Sequence, residues 1–465
     1  MITRTLRQIA EMIGADLPRE AYRNTIVRGV SIDTRSVQDG NLFVPIIGDR
    51  FNGHSFVREA LAGGAAAVLW DRKQLDPPQD IPLVLVDDTV DALQSLAKAY
   101  RQQLAVKVIG ITGSNGKTST KDMLAAVLSV KYKTMKTPGN LNNHLGVPLT
   151  LLRLEEDTEM AVVEMGMSGL GEIYRLASLA KPDAAIITNV SEVHLGDLKT
   201  RERIVQAKLE ILCGLRKNGL FIYNGDNPRL TDRLDELTVE FETVSFGSGR
   251  GQQLYPVEYR LEDKGVRFSI NDPDCPPMFI PLLGRHQVIN ALSVIAAARH
   301  FGLTYEQIRQ GFLQVEATGM RNELVQAGRC LIINDAYKSN PTSLRAALDT
   351  LYSLNPDKRK IAVLGDMVEL GEESDRMHRE IGEQLDGERL NALYTLGTSA
   401  AHIAQAARKN MEESRITSCM DKEQLAELLK EELHEDCIML IKGSRGWQLE
   451  EVVETLRKEA SGYGG

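Results

Sequence analysis

Apolar runs alternate with amphipathic helical patterns through the middle of the chain. The runs span Val106–Thr112, Met160–Met165, Ala184–Val190 and Gly219–Asn224. Apolar strands separated by helices are typical of a mostly parallel sheet with helices on its faces. The pattern therefore predicts an α/β fold for this region. A polar stretch at Ser245–Gln253 then introduces a short set of antiparallel strands.

A second alternation of strands and helices begins near Arg329, after a helix expected at Gln287–His300. Its strands are expected at Cys330–Asn334, Lys360–Leu364, Ala392–Leu396 and Cys437–Ile441. Short apolar strands with helical patterns between them predict a further α/β unit of the Rossmann-like type.

The first hundred residues mix shorter elements. Strands are expected at Leu42–Ile47, Ala65–Trp70 and Leu83–Val86, a helix at Val90–Leu104, and an amphipathic helix that ends near Gly14. The length of 465 residues fits about 150 residues per domain. We therefore predict three α/β domains: a small N-terminal domain at 1–105, a central domain with the mostly parallel sheet at 106–318, and a Rossmann-like C-terminal domain at 319–465.

Composition narrows the class of protein. Hydrophobic residues make up 43% of the chain and charged residues 26%, as in globular proteins. The net charge of -9 argues against a nucleic-acid binder, which needs a basic face. No stretch approaches the roughly 18 apolar residues that span a bilayer, so we expect no membrane insertion. The cysteines are scattered, which predicts reduced thiols and a cytoplasmic location. They are Cys213, Cys275, Cys330, Cys419 and Cys437.

A glycine-bearing loop joins the strand Val106–Thr112 to a helical pattern at Ser119–Val130. The loop and the first helical residue are Gly113, Ser114, Asn115, Gly116, Lys117, Thr118 and Ser119. Glycines let backbone N–H groups approach an anion, and the Lys-Thr pair can serve the terminal phosphates and a magnesium ion. A standard phosphate loop has glycine where this chain has Ile111. We predict ATP binding, and the alternative is a glycine turn that binds nothing.

Polar residues follow the next two strands of the central region. Glu164 ends one strand, Asn189 ends the next, and His194 lies in the loop after it. Ligands bind at the carboxyl ends of strands in an open parallel sheet, so these residues are expected near the phosphate loop, where a carboxylate suits Mg²⁺. Lys208 lies on an otherwise apolar helical face. Its spacing alone favours a side chain whose stem packs while its ammonium reaches water.

Together these motifs resemble the Mur ligases, the ATP-dependent amide-forming enzymes of bacterial cell-wall precursor synthesis. The likeness rests on Thr112-Gly-Ser-Asn-Gly-Lys-Thr118, Gly139-Asn-Leu-Asn-Asn143, Glu164-Met-Gly-Met-Ser168, Thr188-Asn-Val190 with His194, and Gln206-Ala-Lys-Leu-Glu210. Sequence motifs on either side of the central region indicate which member of the family the chain resembles. Asp33-Thr-Arg35 with Gly53-His54 is similar to its uridine-nucleotide-binding domain. Asn334-Asp-Ala-Tyr337, Gly365-Asp-Met367 and Lys442-Gly-Ser-Arg445 are similar to the member that acts last in the cytoplasmic series.

The resemblance implies a role for each site residue. The catalytic residues would be Lys117, Lys208, His194, Glu164 and Arg321. ATP would bind the loop Gly113–Ser119, with Asn290 at the adenine, Arg321 at the terminal phosphate and Asp335 at the ribose. Two Mg²⁺ ions would be held by Thr118, Glu164, His194 and a carbamylated Lys208, because a carbamate is a carboxylate-like ligand. Substrate contacts would come from Thr34, Arg35, Asn52, His54, Asn143, Tyr337, Asn340 and Lys442.

The implied substrates are small molecules: ATP, a UDP-N-acetylmuramoyl-tripeptide and D-alanyl-D-alanine. The implied reaction activates the tripeptide carboxylate as an acyl phosphate and then forms an amide. A monomer is expected. Whether the tripeptide ends in L-lysine or meso-diaminopimelate stays open.

Several positions depart from the family pattern. Lys338 and Ser339 stand where the family usually has Asn-Ala, Gln287 replaces a common Asn, and Asn52 a common Asp. Asp226-Asn-Pro-Arg229 matches a motif by which the sibling ligase for meso-diaminopimelate reads its amino acid. Here it follows a central strand, so we interpret it as a turn in which Asp226 caps the next helix.

Other functions stay open at this point. Within enzymes they are the sibling ligase that adds the third peptide residue, and folylpolyglutamate synthase, which lacks the N-terminal uridine-nucleotide domain. A nucleotide-driven switch or motor is the alternative from another class. It would hydrolyse ATP without organic substrates.

Overall fold

The computed structural model describes residues 1–237, 240–316 and 318–462. The N-terminal part carries a four-stranded parallel sheet of order β3-β4-β5-β6 and a small antiparallel pair, β1 and β2. Its elements are β1 Thr3–Thr5, α1 Leu6–Ile13, β2 Ile26–Arg28, β3 Val30–Ser31, β4 Leu42–Phe43, α2 Val57–Ala62, β5 Ala67–Asp71, β6 Leu83–Val86 and α3 Thr89–Gln103.

The central part carries a six-stranded parallel sheet of order β12-β11-β10-β7-β9-β8 and a three-stranded antiparallel sheet, β13 to β15. Its elements are β7 Lys107–Thr112, α4 Lys117–Ser129, β8 Thr134–Lys136, α5 Gly146–Leu152, β9 Met160–Glu164, α6 Glu172–Ala180, β10 Ala184–Ile187, α7 Leu195–Leu198, α8 Arg201–Leu209, β11 Leu220–Asn224, α9 Pro228–Asp235, β12 Glu242–Phe246, β13 Pro256–Glu262, β14 Gly265–Ile270, β15 Met278–Ile280, α10 Arg285–His300 and α11 Tyr305–Phe312.

The C-terminal part carries a six-stranded sheet of order β16-β17-β21-β18-β19-β20, parallel except for the edge pair β16 and β17. Its elements are β16 Glu323–Ala327, β17 Cys330–Asp335, α12 Pro341–Ser353, β18 Arg359–Gly365, α13 Ser374–Gln384, β19 Ala392–Leu396, α14 Ala400–Ala407, β20 Ile416–Cys419, α15 Lys422–Glu432, β21 Cys437–Lys442 and α16 Leu449–Gly462. The predicted α/β fold with parallel sheets is therefore confirmed.

The elements form where local sequence favours them. Helix α1 begins with a capping box at Thr5 and ends at Gly14, which has a φ of +67°. That left-handed backbone costs glycine little, so the helix stops where the pattern predicts. One face of the central sheet shares a continuous apolar core with the N-terminal part, in which Leu93 and Leu96 of α3 meet Val147 of α5. No helix among the described residues is long and apolar enough to span a bilayer.

Two predicted strands are shorter than expected. The strand expected at Leu42–Ile47 ends at Phe43, two residues before Pro45, which cannot donate to a sheet ladder. The strand expected to end at Val190 ends at Ile187. The chain beyond it leaves the sheet because Asn189 is hydrogen-bonded to the phosphate loop.

Two local predictions are wrong. Cys330 and Cys437 lie on the neighbouring strands β17 and β21 and are joined by a disulfide, whereas all five thiols were expected to be reduced. Their separation of 107 residues gives no signal in the sequence. Asp226-Asn-Pro-Arg229 is a turn as predicted, but Asn227 caps α9, accepting from Leu230 N–H. Asp226 instead accepts from the N–H of Ser248.

Candidate active site

A cavity of about 340 Å³ lies at the carboxyl ends of the central strands, where the C-terminal part approaches them. The structure brings most of the predicted ATP, metal and catalytic residues to its lining. They are Ser114, Asn115, Gly116, Lys117, Thr118, Ser119, Asn143, Glu164, His194, Asn290, Arg321, Asp335, Tyr337 and Lys442. Residues more than 300 positions apart in sequence therefore meet in one site.

The loop between β7 and α4 requires glycine at two positions. A Cβ on Gly113 would lie 1.9 Å from Thr188 Oγ1, and one on Gly116 would lie 2.6 Å from Asn290 Oδ1. Asn189 holds the loop in place: its backbone oxygen accepts from Ser114 N–H and its Oδ1 from Asn115 N–H. The loop is therefore braced by the end of the next strand, a role for Asn189 that its sequence position only hinted at.

The surroundings of Lys117 in this loop destabilise its positive charge. Its Nζ donates to the backbone oxygens of Gly113 and Ser114, at 2.8 and 3.4 Å. Burial lowers the pKa of Lys117 to about 8, and Glu164 partly opposes that shift while Lys338 and Arg321 add to it. Cations on the C-terminal side of the cavity thus lower the proton affinity of Lys117. A polyphosphate anion would relieve that repulsion.

Glu164 lies at the end of β9 beside the first turn of α4. Thr118 Oγ1 donates to its Oε2 at 2.9 Å, and Asn142 Nδ2 donates to its Oε1 at 2.7 Å. The carboxylate is 1% exposed. A hydroxyl and a carboxylate side by side next to a phosphate loop fit Mg²⁺, which binds few protein oxygens and keeps waters and phosphate oxygens. No group of three or more His, Cys, Asp or Glu side chains that could hold a metal occurs among the described residues.

Two consecutive asparagines near Glu164 have different contacts. Asn143 lines the cavity, and its Oδ1 accepts from the N–H groups of Leu145 and Gly146 in the turn that leads into α5. Asn142 makes the contact with Glu164. In a run of two asparagines, the sequence does not determine which one faces the carboxylate.

His194 lies where the central and C-terminal parts meet. Its Nδ1 is 3.2 Å from Glu369 Oε2 and 3.6 Å from Asp197 Oδ2, without hydrogen-bond geometry to either. The pKa of His194 is lowered to about 3, chiefly by burial and also by the nearby charges of Lys338, Lys208 and Lys117. The imidazole is therefore neutral at physiological pH, the form that binds metals.

Lys208 on α8 is buried, with 1% of its surface exposed. The prediction from spacing that its ammonium reaches water is therefore wrong. Its Nζ has no hydrogen-bond or ion-pair partner among the described residues. Burial, with Lys117 and Lys338 as further causes, lowers the pKa of Lys208 well below its usual range. Burial therefore favours the neutral, nucleophilic form of this amine over the charged one.

The C-terminal part contributes a network of charged and aromatic side chains. Lys442 Nζ donates to Asp335 Oδ2 at 2.6 Å and to the backbone oxygen of Lys338 at 2.9 Å. Lys338 in turn pairs with Glu369 at 2.8 Å. The guanidinium of Arg321 lies 4.1 Å from the centre of the Tyr337 ring. The buried Arg321 Nε has no hydrogen-bond partner.

Asn340 joins the two sides of the site directly. It caps α12 by accepting from Ser343 N–H, and its Nδ2 donates to Asn115 Oδ1 at 2.7 Å. A second bridge connects Asn140 Nδ2 to the Tyr337 hydroxyl at 2.6 Å. The phosphate loop is thereby tied to the C-terminal sheet.

The predicted uridine-nucleotide residues are absent from the lining of this cavity. Thr34 and Arg35 belong to a short 3-10 helix, where Arg35 pairs with Asp33 at 2.6 Å. Asn52 Oδ1 accepts from His54 N–H, and the buried His54 Nε2 accepts from Asp71 N–H at 3.1 Å. Here Asn52 and His54 hold the N-terminal part together.

His286, which lines the cavity, is expected to make the stability of the fold depend on pH. Burial lowers the pKa of His286 to about 4, opposed by Asp335 and aided by Lys442. An unfolded histidine titrates near pH 6.5, so between those values the unfolded chain binds a proton that the folded chain does not. We expect the stability to fall as pH drops from 6.5 towards 4, by up to about 1.4 kcal/mol per pH unit from this group. Denaturation midpoints of His286→Gln should fall less steeply than those of the parent, and equal slopes would contradict this expectation.

A phosphate loop, a metal-type carboxylate and a cationic cavity closed by a second α/β part define a nucleotide-dependent ligase. Three family models match the chain: "Mur ligase family, catalytic domain" at residues 26–101, "Mur ligase middle domain" at 111–298, and "Mur ligase, glutamate ligase domain" at 320–445. The chain belongs to the Mur ligase family.

Two relatives match over nearly their full length. The UDP-N-acetylmuramoyl-tripeptide–D-alanyl-D-alanine ligase of Bacillus subtilis (strain 168) is 45% identical over 98% of this chain and 99% of its own. The protein of the same name from Escherichia coli (strain K12) is 35% identical over 99% of this chain and 100% of its own.

Solved structures show the same architecture. A MurF from Acinetobacter baumannii superimposes with a TM-score of 0.87 at 29% identity, covering 98% of this chain and 99% of that one. MurF ligase from Thermotoga maritima in complex with ADP gives 0.82 at 29% identity, covering 94% and 99%. Folylpolyglutamate synthase from Mycobacterium tuberculosis, at 16% identity, 0.61, and 80% and 93% coverage, shares the fold alone.

Proposed function

We propose that the chain is an ATP-dependent ligase that joins D-alanyl-D-alanine to a UDP-N-acetylmuramoyl-tripeptide. The observation that carries the proposal is the cavity lined by Lys117 and the Thr118–Glu164 pair, with the buried Lys208 close enough for Lys117 to lower its pKa. The full-length relative at 45% identity supports the choice of substrates. Such an enzyme belongs to cell-wall precursor synthesis.

The chemistry requires an activated carboxylate. A carboxylate oxygen of the tripeptide attacks the γ-phosphorus of ATP, the bond to ADP breaks, and an acyl phosphate forms. The amine of D-alanyl-D-alanine then attacks the acyl carbon, phosphate leaves with the former carboxylate oxygen, and the amine loses a proton. Phosphoryl transfer needs positioning and neutralised charge more than covalent help, which Lys117 and Arg321 would supply. The cross-links from Asn340 and Tyr337 would keep water from the intermediate.

The residues present fit two Mg²⁺ ions. Thr118 and Glu164 would hold the first, and His194 with a carbamylated Lys208 the second. When bound, the ions would neutralise charge on the phosphates. A neutral lysine amine adds CO₂ and loses a proton to give a carbamate, and the burial of Lys208 favours that neutral form. The carbamate would restore an acidic group among Lys117, Lys338 and His194.

Glu164 offers a test of the first metal site. Glu164→Gln keeps the side chain's size and removes its charge. It should raise the Mg²⁺ concentration needed for half-maximal ligation and lower the rate by at least about 10-fold. A Mg²⁺ titration beside Glu59→Gln, an exposed carboxylate on α2, gives the comparison. If both variants show the parent's Mg²⁺ dependence, Glu164 is not a ligand.

We further propose the division into domains at 1–105, 106–318 and 319–465, with Thr34, Arg35, Asn52 and His54 on the face that meets the uridine nucleotide. The shared core of α3 and α5 suggests that the first two domains move as one body. A cytoplasmic monomer is also part of the proposal. Light scattering of the purified chain measures its molar mass in solution and so tests whether it is a monomer.

Phosphate release separates this proposal from its alternatives. The purified chain is given ATP, Mg²⁺ and UDP-N-acetylmuramoyl-tripeptide, with D-alanyl-D-alanine, L-lysine, meso-diaminopimelate or glutamate as the amine. We expect release only when acid and amine are both present, and fastest with D-alanyl-D-alanine. The sibling ligase adds the third peptide residue, so its acid substrate is a UDP-N-acetylmuramoyl-dipeptide. Phosphate release with that acid and a single amino acid as the amine would indicate the sibling ligase. Release without organic substrates would indicate a nucleotide-driven switch.

A further inference from the structure

A buried carboxylate that is not among the proposed catalytic residues is hydrogen-bonded to the segment that leads into the C-terminal sheet. Asp122 lies on α4, one turn beyond Thr118, and is 2% exposed. Its Oδ2 accepts from both the backbone N–H and the Oγ1 of Thr318, at 3.0 and 2.8 Å. The helix that begins at the phosphate loop therefore holds this segment by two hydrogen bonds on one oxygen.

The other oxygen of Asp122 is also occupied. Lys136 Nζ donates to Oδ1 at 2.6 Å, and Lys121 Nζ lies 3.6 Å from it. The fully buried Lys121 also donates to the backbone oxygen of Gly139 and lies 4.0 Å from Glu164 Oε2. Asp122 is thus fixed from several directions. A carboxylate held this way is a rigid anchor rather than a mobile surface group.

The segment beyond Thr318 delivers Arg321 to the cavity in an unusual backbone. Met320 and Asn322, on either side of Arg321, have φ values of +61° and +53°. Such conformations are uncommon for residues other than glycine and persist only where surrounding contacts hold them. Met320 N–H donates to Glu323 Oε2 at 3.0 Å, which ties that turn to the C-terminal sheet. The segment is therefore fixed to the central part at Thr318 and to the C-terminal part at Met320.

We propose that the contact between Asp122 and Thr318 is the fixed point, or pivot, from which this segment carries Arg321 to the phosphate cavity. Asp122 and Thr318 are positioning residues, since neither lines the cavity. The inference rests on the proposed function only in that Arg321 contacts the terminal phosphate. It predicts that loosening Thr318 affects catalysis through Arg321 and through no other group.

A double-mutant cycle tests this coupling. Thr318→Val keeps the shape and backbone N–H but removes the hydroxyl donor, whereas Thr318→Ser keeps the hydroxyl. We expect Thr318→Val to lower kcat by about 10-fold, with Thr318→Ser within 2-fold or so of the parent. In an Arg321→Ala background, Thr318→Val should lower kcat by less than about 2-fold further. Effects that multiply, or a Thr318→Ser variant as slow as Thr318→Val, would overturn the proposal.

Hydrogen exchange separates failure of the pivot from failure of the proposed function. In the chain without substrates, the Thr318 amide should be protected, and Asp122→Ala should remove that protection if the variant folds. An unprotected Thr318 amide in the parent protein would overturn the pivot, whatever reaction the chain catalyses. A protected amide with no ligation for any substrate pair would leave the pivot intact and contradict the function instead.

Discussion

Lys117→Ala is expected to abolish ligation, lowering its rate by at least about 10²- to 10³-fold. Among the residues that the structure describes, the ammonium donates to backbone oxygens of the loop, and burial lowers its pKa to about 8. The phosphates of ATP are the partners that would stabilise the charge. Without the ammonium, negative charge on the transferred group stays uncompensated. The measurement is the steady-state rate of ADP and product formation at saturating substrates.

The control for Lys117→Ala is Lys98→Ala, which removes an exposed lysine from α3. It should ligate at the parent rate. Thermal unfolding of both variants checks that a lost rate does not reflect a lost fold. Near-normal turnover of Lys117→Ala would show that the loop does not hold the reacting phosphates.

Lys208→Ala is expected to lose ligation by at least about 10²-fold and to regain part of it when formate or acetate is added. A small carboxylate can enter the space left by the side chain and replace the carbamate as an oxygen ligand. Lys208→Arg cannot form a carbamate and should be inactive with or without the acid. Lys217→Ala, an exposed lysine beyond α8, should be unaffected.

Isotope labelling detects the carbamate directly. Protein equilibrated with ¹³C-labelled CO₂ should show a carbamate carbon resonance that Lys208→Ala lacks. A Lys208→Arg enzyme with normal rates, or rescue of Lys208→Ala by neutral additives as well as by acids, would contradict the carbamate. The burial of Lys208 would then serve only to fill the interface between α8 and the sheet.

Much of the site could be predicted because its chemistry is local in sequence. The strand, the glycines at 113 and 116, and the Lys-Thr pair are contiguous, and the clashes of a Cβ at either glycine explain why the motif is needed. Glu164 could be placed because parallel strands end at one edge of the sheet. The same rule placed Asn189, but not its role as a brace of the loop.

What escaped prediction depends on contacts between distant segments. Periodicity showed that Lys208 lies on an apolar face, but not that neighbouring elements cover its ammonium. The Cys330–Cys437 pair follows from the adjacency of β17 and β21, which strand patterns do not specify. The hydrogen bonds between Asp122 and Thr318 join residues that lie 196 positions apart in the sequence. Such pairings are set by topology, and one sequence carries no local trace of them.

The destination of one oxygen atom tests the central claim most directly. UDP-N-acetylmuramoyl-tripeptide with ¹⁸O in its terminal carboxylate is incubated with ATP, Mg²⁺, D-alanyl-D-alanine and the protein. Activation through an acyl phosphate predicts that each product molecule is accompanied by one inorganic phosphate carrying an oxygen from that carboxylate. Phosphate without ¹⁸O from the tripeptide would mean that ATP is cleaved by water, and would contradict the assignment of this cavity to ligation.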